Sequence, residues 1–370
     1  MPRRRRTVRT VPTTDGAVRV TVFRRWRAAA MLRPVGVGRW AMAVWLAAGL
    51  GAILTVSDGL GHPDVGSAVA LGFVLTAVPT LPLTWRSALS TMAIRGVAVL
   101  GGAALAVLTA GHPGALAIAV VAAAGGGVLV ARVGPTVGLA VVLVAVDMPA
   151  GGQGPSPAAL LPYVAGALVV VVAWAAWFGC SEVARVRRAR PRPGAEDAER
   201  SGLRGRYPHA LRVGVAVAVA VLVTGLLPDD LAGGHWLITC VLLTVQPTAA
   251  DTGLRLAQRI SGNTVGALIA AVVLGTHPSA PAAAVLTVLL FTLAMALRPV
   301  NYTWWAITGP PVLLMISEYP DQFPWYEGAV RLAMNLAGAV IVLVVAVLPG
   351  YFRNTRLSDS VYKIQRRRSG

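Results

Sequence analysis

The sequence predicts an all-α integral membrane protein of about twelve transmembrane helices. They are arranged as two parallel six-helix repeats, with both termini cytoplasmic. Three observations carry that prediction. The 370 residues are 56% hydrophobic and only 13% charged, with a mean hydropathy of +0.67. A soluble domain carries about a quarter charged residues. Apolar stretches near the length needed to span a bilayer recur along the chain. Among the connections between them, arginine occurs only in alternate ones.

The candidate spans are 39–57, 65–82, 90–110, 114–131, 133–148, 158–178, 210–227, 235–247, 259–275, 279–297, 302–317 and 328–348. The connections 57–64, 110–114, 148–157, 228–234, 275–279 and 318–327 contain no Lys or Arg. The intervening ones hold Arg86, Arg132, the cluster 185–206, Arg255 with Arg259, Arg298, and Arg353 with Arg356. The positive-inside rule puts the arginine-rich side in the cytoplasm of a multi-pass protein of the cytoplasmic membrane. One span too many or too few would scramble the alternation.

Five segments follow: a basic tail (1–35), a first six-helix repeat (36–180), a polar linker (181–208), a second six-helix repeat (209–350) and a basic tail (351–370). The first tail does not read as a signal peptide, because its charged part is long and its first apolar run late. Much of the net charge of +18 lies in the tails and linker. It suits anionic lipid head groups better than nucleic acid. Cys180 and Cys240 sit apart in apolar sequence, with no metal-ligand or redox spacing. No metal or cofactor is expected.

The halves echo each other at an offset of about 165 to 173 residues. Val78-Pro79-Thr80 aligns with Gln246-Pro247-Thr248, Arg86 with Arg255, His112-Pro113 with His277-Pro278, and Asp147-Met148-Pro149 with Glu318-Tyr319-Pro320. An even number of spans per half makes the repeats parallel, related by an axis along the membrane normal.

Polar residues concentrate after span eight. Pro247 removes a backbone donor and stops the helix, and Gln246 places an amide at membrane depth. Asp251, Arg255 and Arg259 follow at four-residue spacing and would share a helix face, with Asp251 placed to pair with Arg255. Gly262 and Gly266 form a G-x-x-x-G that permits close helix approach, or a homodimer. Asn263 adds a polar group inside the span. A discontinuous polar segment of this kind lines the ligand path in transporters. Arg255 and Arg259 could capture a carboxylate bidentately, although arginines also belong on that side for topology alone.

Arg331 breaks the charge pattern, lying just inside the last span on the arginine-free side. It should pair with an acid such as Glu327 or line an aqueous path, and Asn335 follows it one turn later. Asp147 and Glu318 end equivalent spans and are candidates for proton coupling, or are simply solvated acids. His62, His112, His235 and His277 read as capping and interfacial residues. Trp236, Trp304, Trp305 and Trp325 read as interfacial anchors.

The run HWLITCVLLTVQPT (235–248), continued by TGLRLAQRISGNTVGA (252–267), then YTWWA (302–306) and EGAVRLAMNLAGA (327–339), resembles the signature of the FUSC, or fusaric-acid-resistance-like, family. The resemblance is clear over 205–350 and faint over 35–180. It implies efflux of aromatic or other organic anions driven by the proton gradient. Two features depart from the family pattern. Val78-Pro79 replaces Gln-Pro in the first half, and the cytoplasmic domain of larger members is missing.

The expected function is therefore secondary-active, proton-coupled export of organic, chiefly aromatic carboxylic, acids. The path would involve Gln246, Pro247, Asp251, Arg255, Arg259, Asn263, Arg331 and Asn335. A passive anion channel and a non-transporting membrane scaffold are the alternatives. Neither an enzyme nor an ATP-driven pump is expected. The chain has no nucleophile elbow, no H-E-x-x-H and no phosphate-binding G-x-x-x-x-G-K-[ST] loop.

Overall fold

Ala, Val, Leu and Gly make up most of the apolar sequence, so helices can lie close together through small side chains. The computed structural model describes residues 33–78, 85–130, 133–150, 155–185, 203–227, 233–317 and 326–349. These residues are overwhelmingly helical, with no strand among them. The first half comprises α1 (Trp40–Gly59), α2 (Pro63–Thr76), α3 (Trp85–Thr109), α4 (Pro113–Leu129), α5 (Thr136–Ala150) and α6 (Leu161–Arg185). The second comprises α7 (Leu203–Thr224), α8 (Gly234–Thr244), α9 (Ala249–Gly275), α10 (Ala280–Leu297), α11 (Tyr302–Ser317) and α12 (Glu327–Val342), the last continued by a π turn, Leu343–Val347.

Seven of the described helices are long and apolar enough to cross a membrane. Pro63–Thr76, Pro113–Leu129, Thr136–Met148 and Gly234–Thr244 are shorter apolar helices. Large apolar side chains such as Leu108, Ile118, Val172, Leu222, Leu268, Val272 and Leu289 stand exposed. In water they would form an adhesive surface, whereas in hydrocarbon they cost nothing. The protein is a multi-pass helical membrane protein.

Helix starts follow local chemistry. Pro63 and Pro113 occupy the first turn of α2 and α4, where a missing N–H is harmless. His62 and His112 hold the N-cap positions of these helices, yet neither side chain caps. Span nine begins ten residues earlier than the sequence suggests. Thr248 is the N-cap, its hydroxyl accepting from the Asp251 amide at 3.1 Å, so the helix starts at Ala249. The polar stretch after Pro247 is thus helical, and the break is confined to the few residues between Thr244 and Ala249.

Packing pairs recur between the halves. α2 lies on α6 as α8 lies on α12, α3 on α5 as α9 on α11, and α1 on α2 as α7 on α8. The halves meet through α1 with α10, α4 with α7, α5 with α8, and α2 with α11. Both hydrophobic cores mix residues of the two halves: Phe73 and Trp174 share one with Phe291 and Met295, while Val141 and Tyr163 share the other with Leu237 and Val342.

A close helix contact follows the G-x-x-x-G. A Cβ on Gly262 would meet the Ala306 Cβ at 2.5 Å, and one on Gly266 would collide with the Ile307 carbonyl. Pro310 and Pro311 inside α11 remove the amides that would otherwise bond the Ala306 and Ile307 carbonyls. The glycines let α9 approach that exposed backbone. Gly266→Val is expected to force α9 and α11 apart and destabilise the protein by about 1–3 kcal/mol, the usual cost of overpacking. A lowered thermal unfolding midpoint in detergent would show it, and an unchanged midpoint would mean that the contact contributes little.

Candidate functional site

Two cavities lie beside α9, and the deeper one opens between the halves. The first has a volume of about 80 Å³ and receives residues from both halves: Leu75 of α2, Arg95 of α3, Thr136 and Leu143 of α5, Trp236 and Thr239 of α8, Arg259 and Asn263 of α9, Trp305 of α11 and Arg331 of α12. Arg298, just beyond α10, completes its lining. The second is a vestibule of about 390 Å³ lined by Val35, Gln246, Asp251, Arg255, Gln258, Tyr302 and again Arg298.

Four guanidiniums therefore face one small space, and no lining residue among the described ones is acidic. Arg259 and Arg331 are each only 5% exposed. Their hydrogen-bond and ring partners are neutral, and Glu327 acts on Arg331 only as a nearby charge. Arg331 Nη1 donates to the Pro310 carbonyl at 3.1 Å, and its guanidinium carbon sits 3.5 Å above the Trp236 ring. Arg259 Nη1 donates to Tyr302 Oη at 3.1 Å, and Arg95 Nη2 to the Leu75 carbonyl at 3.1 Å. Arg298 lies over the Trp305 ring at 4.5 Å. The Nε groups of Arg95, Arg259 and Arg331 are buried without any hydrogen-bond partner. An arginine is always charged, and burying one in a bilayer costs about 3 kcal/mol even on permissive scales. Several unpaired cations around one cavity are a strong arrangement for holding an anion.

The site is held by polar contacts between helices. Asn263 Nδ2 donates to Asn335 Oδ1 at 2.7 Å, joining α9 to α12. Asn335 Nδ2 donates to the Arg331 carbonyl at 2.7 Å, and Cys240 Sγ to the Asn335 carbonyl at 3.3 Å. Asn335 does not line the cavity; it fixes the helix turn that carries Arg331. At the vestibule, Gln258 Nε2 donates to Asn301 Oδ1 at 3.1 Å, and Asn301 Nδ2 to the Arg33 carbonyl at 2.9 Å. This bond ties the segment before α1 to the α10–α11 turn, as does Val35 N donating to the Val300 carbonyl at 2.7 Å.

The residues expected from sequence divide between the two cavities. Arg259, Asn263 and Arg331 line the first; Gln246, Asp251 and Arg255 line the vestibule. Pro247 lines neither, its carbonyl accepting from Arg212 Nη2 at 2.8 Å. Of the two roles open to Arg331, it lines a cavity, and Glu327 reaches it as a nearby charge without an ion pair within 4.0 Å. Two expectations are corrected. Asp251 does not pair with Arg255: its carboxylate accepts from the Thr248 hydroxyl at 2.6 Å, and Arg255 stacks 3.8 Å over the Tyr302 ring. Trp236 and Trp305 are not interfacial anchors: Trp236 is 4% exposed, and both rings lie under arginines in the cavity wall. Trp304 is 37% exposed, and Glu318 and Trp325 lie outside the described residues.

Asp147 lies one turn beyond Leu143 on α5, outside the cavity lining. Its carboxylate accepts from Tyr163 Oη at 2.7 Å and from Ser67 Oγ at 3.4 Å. Ser67 Oγ also reaches the Ile316 carbonyl at 2.7 Å, so this group joins α2, α5 and α6 to α11. Arg95 and Arg298 were missed. Arg95 interrupts an otherwise apolar span, which alone marks an intramembrane arginine as functional. Arg298 was absorbed by the topology rule as an ordinary loop arginine.

Residues 215–345 match the family model described as "Fusaric acid resistance protein-like". No curated protein and no solved structure matches the chain. The matched segment contains α8 to α12 and, within it, Arg255, Arg259, Arg298 and Arg331, whereas Arg95 comes from outside it. The match over 215–345, about a third of the chain, supports a fusaric acid resistance protein-like assignment, with which the helices fit to cross a membrane agree.

Proposed function

We propose that this protein is a secondary-active exporter of organic anions, chiefly aromatic carboxylic acids, energised by the proton gradient across the cytoplasmic membrane. The observation that carries the reading is the acid-free cavity facing Arg95, Arg259, Arg298 and Arg331, with Trp236 and Trp305 in its wall. The guanidiniums suit a carboxylate, and the indole rings suit an aromatic body. The family description, which speaks of resistance to fusaric acid, agrees with such a cargo.

Twelve spans in two parallel repeats are the arrangement that best accounts for the recurring packing pairs of the two halves. In transporters built this way, the substrate site falls at the interface between repeats. With the arginine-rich ends in the cytoplasm, the vestibule is the entry and the cavity lies deeper along the path. Asp147 is the candidate proton carrier, because it is a half-buried carboxylate with a neutral hydroxyl as its main partner, in a group that reaches α11 through Ser67.

The test is retention of labelled hydroxybenzoate in exporter-deficient cells producing the chain, with and without a protonophore. Lowered retention that the protonophore reverses is the expected result. Asp147→Asn should keep substrate binding and lose the protonophore-sensitive part. Efflux indifferent to the protonophore would favour a passive anion channel, and unchanged retention would remove the transport reading.

A further inference from the structure

We infer that the vestibule and the cavity are two anion-binding stations filled at the same time, divided by Tyr302 and bridged by Arg298. The inference rests on the reading of the cavity as the transport site, and adds where the anions sit and which residues separate them.

Tyr302 is held at its ring face and at its hydroxyl. Arg255, a vestibule residue, stacks 3.8 Å over its ring, while Arg259, a cavity residue, donates to its hydroxyl at 3.1 Å. The side chain thus stands between a vestibule guanidinium over its ring and a cavity guanidinium at its hydroxyl tip. Arg298 is the only arginine that lines both compartments among the described residues. Its guanidinium rests on Trp305, a cavity residue, and its backbone begins the turn that carries Tyr302. A guanidinium offers five donors in a fork, more than one carboxylate uses, so it can serve an anion on either side.

Charge argues for two occupants. Arg331 lies within electrostatic reach of Arg259, Arg259 of Arg255, Arg255 of Arg298, and Arg298 of Arg95. This continuous chain of like charges runs through both compartments. The acids that reach it are Asp251 beside Arg255 and Glu327 beside Arg331. A single monocarboxylate leaves most of the repulsion in place, whereas one anion per compartment puts a negative charge beside every link. Repulsion between two anions across Tyr302 would in turn help each to leave, as conduction between adjacent sites requires.

The experiment is calorimetric titration of the purified full chain in lipid nanodiscs with 4-hydroxybenzoate. Two molecules bound per chain are expected. Arg255→Gln should remove one event and Arg331→Gln the other. Arg298→Gln should weaken both by about tenfold or more, the effect of losing one charge-assisted hydrogen bond. Arg298→Lys keeps the charge and should largely restore them, which separates loss of the bridge from loss of fold. One molecule bound to the wild type, with Arg255→Gln without effect, would overturn the two-station inference and leave the transport reading intact. Two molecules bound, with Arg298→Gln without effect, would remove the bridge and the inference with it. No binding to the wild type would sink both readings.

Discussion

Arg331→Gln is expected to abolish efflux while the protein still inserts and folds. The side chain is charged, buried and aimed at the cavity, with a backbone carbonyl and an indole face as its partners. Removing one member of a buried charge pair costs about 2–5 kcal/mol, so loss of the Arg331–carboxylate contact should lower transport by roughly 100-fold or more. Folding should be spared because Arg331 makes no ion pair within 4.0 Å among the described residues, and Glu327, the one acid that feels its charge, can take up a proton once that charge is gone. Asn335 binds the backbone of Arg331, so the α9–α12 clamp survives the change. Retention assays paired with membrane-fraction blots and size-exclusion profiles measure both halves of the prediction. Wild-type flux in the variant would remove Arg331 from the site, and loss of the protein from the membrane would assign it a structural role.

Arg331 was legible in the sequence because it violated a rule. Every neighbouring connection on its side lacks basic residues, so its charge needed a reason, and the cavity supplies one. Arg255 and Arg259 were legible as a pair on one helix face. What spacing could not show is that Tyr302 would come between them, because that residue arrives from α11. Trp236 and Trp305 were misread for a related reason. Indoles near helix ends usually sit at the membrane surface, and only tertiary packing turns these two inward beneath guanidiniums. The start of α9 was placed late because the apolar pattern begins at Ile260, whereas the Thr248 cap sets the first turn. Arg298 remained hidden because one observation, an arginine in an arginine-rich connection, served topology and site equally well.

Arg95→Gln should impair efflux as severely as Arg259→Gln, and this second large effect tests whether the first half of the chain takes part in the site. Arg95 lies ten residues into α3, and Arg259 lies ten residues into α9. These helices occupy matching places in their halves, α3 against α5 and α9 against α11. Both guanidiniums reach the same cavity, and both leave a buried Nε without a partner. Each should therefore contribute a comparable charge-assisted contact, with a loss on the order of 100-fold in transport. Arg86 supplies the control: it is exposed at the start of the same helix, so Arg86→Gln should leave flux within about a factor of two. The family match begins well after Arg95, so the matched segment holds only part of the cation set. If Arg95→Gln transports normally while Arg259→Gln does not, the second half forms the site alone and the first serves as its scaffold. If both fail together, the anion is held between the halves, where a small relative movement of the two would open it to one side of the membrane and then the other.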